Sequence, residues 1–135
     1  MKPKSFVWSA LATTMLLLLL QLVPVYIPAG LLTFNDRFIL GHFQANNFAM
    51  IALVAFSYLP IVILAKSTDR LSRFVSVILL ASILSNLLDR IFRGGATDYI
   101  SIGKFPTFNI ADVLIIVGIA ILGFYFLKDK KIYKL

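Results

Sequence analysis

The sequence predicts an all-α membrane protein, one domain over residues 1–135 with four transmembrane helices and short connecting loops. Three observations predict it. Of the 135 residues, 60% are hydrophobic and 14% charged, whereas soluble domains run at about 45–50% apolar and about 25% charged. Apolar stretches recur along the chain, each near the roughly 20 residues that one bilayer crossing takes. The basic residues behind the net charge of +7 gather in short segments beside those stretches, a pattern of membrane orientation rather than of a nucleic-acid groove.

The spans fall near residues 5–28, 48–65, 71–92 and 110–127. The first opens on "MKPK", a basic start that a cleaved signal peptide also has. Its apolar run is longer than a signal peptide's and no small-x-small cleavage site follows, so a retained helix is expected. Lys2 and Lys4 precede it, Lys66, Arg70 and Arg73 separate the second span from the third, and Lys128, Lys130, Lys131 and Lys134 follow the fourth. With four crossings these fall on one side, and Arg37, Arg90, Arg93 and Lys104 on the other. The positive-inside rule then places both termini in the cytoplasm and the loops 29–47 and 93–109 outside.

The first outer loop, "AGLLTFNDRFILGHFQANN", mixes apolar and polar residues in a way that suits a segment lying in the headgroup region. In the second, Gly94, Gly95, Gly103 and Pro106 punctuate "TDYISI", whose alternation suits a short β segment. Cysteine is absent, which excludes a disulfide framework, a thiolate nucleophile and cysteine metal sites. The one histidine, His42, reads as a solvated loop residue, so no metal centre is expected.

All six acidic residues are aspartates. Asp69 and Asp129 flank spans and read as solvated. Asp89, Asp98 and Asp112 lie close together in sequence, at the outer ends of the third and fourth spans. Side chains three and four apart share a helix face, so Asn86, Asp89 and Arg90 in "SNLLDRIF" project together, and Asn109 and Asp112 form a second such pair. Asp98 hangs in the loop between them. Antiparallel neighbours joined by a short loop pack side by side, which brings all six groups to one depth near the outer surface.

A charge within a span costs about 2.5–3.5 kcal/mol on insertion scales and usually marks function. Plain structural roles compete: Asp89 can pair with Arg90 or Arg93, and Asn109 can cap the fourth helix by accepting from the amide near Asp112. Two carboxylates held together share a proton, so that one serves as base toward water and the other as acid toward a carbonyl oxygen. That is aspartic peptidase chemistry, in which Arg90 and Asn86 would hold the carboxylates or substrate backbone. A non-catalytic module that binds lipidated peptides or a partner helix is the alternative. An ion-conducting protein would need polar groups through the bilayer's depth, and the first two spans offer almost none.

"SNLLDR", "TDYI" and "FNIAD", in this order and spacing, resemble the bacterial lipoprotein signal peptidases, or signal peptidase II. The resemblance implies that Asp98 and Asp112 are catalytic, supported by Asn86, Asp89, Arg90 and Asn109. It implies a diacylglyceryl-modified prolipoprotein as substrate, lipid as surroundings, no cofactor and a monomer in the bacterial cytoplasmic membrane, with its site toward the outer face. Ala81, Ser82 and Ser85 stand where that family is small before its Asn, and small residues let helices approach. The front half departs. Where the family has D-Q-x-x-K, "LQLVP" keeps only Gln21, and "NNFAM" is a remnant of the family's N-x-G-x-x-F box. A divergent peptidase is therefore expected, or a degenerate relative.

Overall fold

A computed structural model of the protein describes residues 3–35, 37–38, 43–44 and 46–128. The expectations placed on Lys2, His42, Asp129, Lys130, Lys131 and Lys134 fall outside the described residues. Helix α1 runs over Pro3–Leu22 and continues into a 3₁₀ turn at Val23–Tyr26, where Pro24 sits among the first helical residues. A second such turn spans Ala29–Leu31. Strands β1 (Thr33–Asn35), β2 (Arg37–Phe38) and β3 (Phe43–Gln44) lead into α2, Asn46–Lys66. Helix α3 (Arg70–Arg93), strand β4 (Ala96–Asp98) and helix α4 (Ile110–Lys128) follow.

Phe6–Tyr26, Arg70–Arg93 and Ile110–Leu127 are long and apolar enough to cross a membrane. This is a membrane protein. Met50–Lys66, within α2, is a further apolar helical stretch. It carries Pro60 in its interior, where the missing N–H removes one helical hydrogen bond. The β segment expected in the second outer loop is present as β4, and β1, β2 and β3 in the first loop add strands that the all-α reading lacked. Strand β4 pairs antiparallel with β1 in the register Thr33↔Asp98, Phe34↔Thr97 and Asn35↔Ala96, and β2 pairs with β3. The extended piece read in "TDYISI" begins one residue earlier, at Ala96, and its pairing as β4 ends at Asp98. Ile100 then bridges Phe108 across a turn in which Gly103 takes φ 57.

Helix α3 is the centre. It touches each of the other three helices, and half of its span is buried (50%), against 11% for α1 and 17% for α4. Its sequence explains this. Ser72, Ser76, Ala81, Ser82 and Ser85 are small and buried, so neighbouring backbones come close. Val75 and Leu79 pack with Ile63 of α2 and Leu122 of α4, and Ile115 and Phe126 close over them. Gly118 of α4 lies against Leu79, whose Cδ2 is 2.7 Å from where a Cβ would stand. The outward faces of α1 and α4 leave Trp8, Met15, Ile116 and Phe124 exposed, as lipid contact requires.

Both ends of α3 are capped. Asp69 accepts from the Ser72 N–H at 2.7 Å, and this bond holds its carboxyl below the usual carboxylate range. At the other end Gly94 takes the left-handed conformation, φ 80, that stops the helix. The turn sends the chain directly into β4, which is how Asp98 comes to lie beside the helices.

Candidate active site

The site begins with the way α4 starts. Asn109 precedes the helix, and its Oδ1 accepts from the Asp112 N–H at 3.0 Å. Asp112 returns the contact, its Oδ2 accepting from the Asn109 N–H at 3.1 Å. This is a reciprocal capping box, which "N-I-A-D" encodes by its i, i+3 spacing. The capping role expected of Asn109 is met by one atom only. Its amide Nδ2 remains, and it donates to Asp98 Oδ1 at 3.0 Å and to Asn86 Oδ1 at 3.0 Å.

Asn86 comes from the buried face of α3 and extends this chain of contacts. Its Nδ2 donates to Asp112 Oδ1 at 2.8 Å. The four side chains therefore link as Asp112, Asn86, Asn109, Asp98, and Asn109 touches both carboxylates, one through its side chain and one through its backbone. An amide suits each middle place because it offers a donor and an acceptor at once. Asp98 is 1% exposed and Asp112 half-buried. Arg90, also buried, stands within electrostatic reach of Asp112.

Asp98 is fixed from the backbone side by the β1–β4 pairing. Thr33 Oγ1 donates to the Asp98 carbonyl at 3.2 Å and shares a contact of 2.9 Å with Thr107 Oγ1. Asp89 acts one step away. Its Oδ1 meets Arg93 at 2.6 Å, and its Oδ2 accepts from the Thr97 N–H at 2.9 Å. Arg93 Nη1 also donates to Thr97 Oγ1 at 3.3 Å. Asp89 thus makes the ion pair with Arg93 that the sequence allowed, and uses it to tie the end of α3 to β4, next to Asp98.

Two further residues reach the site. Gln21 Nε2 of α1 donates to the Ser85 carbonyl at 3.0 Å and to Ser85 Oγ at 3.1 Å, one residue before Asn86. The Tyr99 hydroxyl accepts from the Ile110 N–H at 3.3 Å. Burial raises the Tyr99 phenol above its ordinary value of 10.0; the Ile110 N–H acts the other way, and the charges of Asp112, Asp89 and Asp98 reinforce the rise. A cavity of about 10 Å³, room for the centre of roughly one water, lies between Leu20, Ser85, Asn86, Asp89, Tyr99 and Asn109. Among the described residues no three His, Cys, Asp or Glu are arranged to hold a metal ion.

The structure thus joins Asn86, Asp98, Asn109 and Asp112 directly, sets Arg90 beside them, and turns Asp89 toward β4. Sequence reasoning missed Tyr99, Thr97 and Thr33. The polar faces of α3 and α4 were readable from helical spacing, whereas these three act through loop contacts that no periodicity marks.

The chain has known relatives. The family model described as Signal peptidase (SPase) II matches residues 4–128. A lipoprotein signal peptidase of Caldicellulosiruptor bescii is 34% identical over 82 residues, 61% of this chain and 54% of that protein. One from Borrelia duttonii is 33% identical over 93 residues, 56% and 55% respectively. The chain's matches therefore span little more than half the length of these relatives. A bacterial membrane enzyme solved by the in meso method superposes with a TM-score of 0.74 over 93% of this chain and 91% of that one, at 20% identity, so the fold is shared. With the match running from α1 through α4, the chain belongs to the signal peptidase II family.

Proposed function

We propose that the protein is a membrane aspartic endopeptidase that removes the signal peptide from diacylglyceryl-modified prolipoproteins, with Asp98 and Asp112 activating water. The observation that carries this reading is the shared hold of Asn109 on both carboxylates, closed through Asn86. Two carboxyl groups tied to one residue stay near each other while substrate enters. Membership of the family supports the substrate class.

In the reaction one carboxylate takes a proton from water as its oxygen attacks the peptide carbonyl carbon. The partner, protonated, gives its proton to the carbonyl oxygen. Collapse of the tetrahedral intermediate breaks the C–N bond. The proton taken from water passes to the departing amine, and a hydroxyl of the intermediate returns its proton to the partner carboxylate as the product acid forms, which restores the starting pair. Asn86 and Asn109 keep the carboxyl groups aimed, and Arg90 supplies the positive charge that lets one of them stay ionised. Asp89, through Thr97, holds the strand on which Asp98 sits.

All four helices cross the bilayer in this reading. Both termini lie in the cytoplasm and the carboxylates near the outer surface of the bacterial cytoplasmic membrane. The substrate's acyl chains stay in lipid while its peptide enters beside α3 and α4, and the enzyme acts as a monomer. The test is cleavage of a synthetic diacylglyceryl lipopeptide by the purified protein beside Asp98→Asn and Asp112→Asn. The parent should cleave, and each variant should lose at least about 100-fold. Equal cleavage by all three would remove these aspartates from the mechanism.

A further inference from the structure

Tyr99 is held at both ends. Its backbone N–H donates to the Phe108 carbonyl at 3.1 Å, and its hydroxyl oxygen accepts from the Ile110 N–H at 3.3 Å, at the first residue of α4. The ring therefore crosses from the 94–109 loop to the helix start and lines the small cavity with Asn86, Asp89 and Asn109. A phenol has one hydrogen to donate, and accepting from a helix N-terminal amide leaves that hydrogen available and strengthens it as a donor.

We infer that Tyr99 is a catalytic residue: its hydroxyl donates a hydrogen bond to the carbonyl oxygen of the peptide bond being cut. A carbonyl oxygen has two lone pairs. In the proposed mechanism one receives the proton of the acidic aspartate, and Tyr99 takes the other. As the oxygen gains negative charge that bond shortens, so it favours the transition state over bound substrate. No proton leaves Tyr99. The groups facing it, Asp112 from α4, Asp89 from α3 and Asp98 from β4, are all acidic, and with burial they keep the phenol protonated through the neutral range, which a donor requires.

This assignment rests on the peptidase reading and is tested with the full chain in lipid nanodiscs on the same diacylglyceryl lipopeptide. Tyr99→Phe keeps the ring and removes one oxygen. The expected result is a kcat lower by about 100-fold with KM within about twofold of the parent and an unchanged melting temperature. A variant with the parent's kcat overturns the assignment while leaving the peptidase reading intact. A parent that cleaves nothing overturns both. Should Tyr99→Phe melt well below the parent, a fluorinated tyrosine at position 99, more acidic but still folded, decides. The alkaline loss of kcat must then move to lower pH, and a loss that stays in place assigns Tyr99 to holding Ile110 alone and ends the proposal.

Discussion

Asn109 shows how one side chain serves two purposes whose failures are separable. Its Oδ1 caps α4 and its Nδ2 binds Asn86 and Asp98. Serine caps helices as well as asparagine does but offers no NH₂ group. Asn109→Ser should therefore keep the fold, read as helical circular dichroism and melting temperature, while cleavage falls by at least about tenfold. Equal loss of both would mean that the amide serves only the helix. The sequence made this residue legible because "FNIAD" places a cap and a carboxylate three apart. Thr33 was not legible, since it meets Asp98 across 65 positions and nothing near it in the chain signals that pairing.

Among elements, α3 carries the most consequence, and its ends and its contact with α4 can be probed apart. Asp69 caps the helix with a carboxyl held below the usual range by the Ser72 N–H. A lowered value in the folded state means that the stabilisation is present above the ordinary carboxylate value and fades as pH falls through the lowered one. Asp69→Ala should cost about 1 kcal/mol at neutral pH. Asp69→Asn, which caps without ionising, should lose less stability than the parent when thermal melts are compared from neutral to strongly acidic pH. At the helix pair, Gly118→Ala puts a methyl group where Leu79 already stands and should cost about 1–3 kcal/mol. Leu79→Ala in the same chain makes room for it, so the double variant should lose less than the two single losses added. The existence of four apolar helices was readable from hydropathy and capping residues. Of the sheets only the β4 segment was readable, from the alternation in "TDYISI"; its partner β1 and the β2–β3 pair were not, because strands of two or three residues leave little periodic trace.

For the whole molecule, the proposed orientation, which rests on the placement of the positive segments, can be checked without background, since the chain has no cysteine. Thr68 lies between α2 and α3, and Ser101 between β4 and α4. In intact cells a membrane-impermeant maleimide should label Ser101→Cys and leave Thr68→Cys unmodified until the membrane is opened. The reverse pattern would invert the topology and move the carboxylates to the cytoplasmic side.

The pairing of β1 with β4 reaches further than its few bonds suggest. A strand from the segment between α1 and α2 lies alongside Asp98, and Thr33 grips that residue's own carbonyl. Displacing this strand would slacken the mounting of the acidic group on its paired neighbour β4. A change in β1 is therefore felt at Asp98, although 65 positions separate Thr33 from it in the chain.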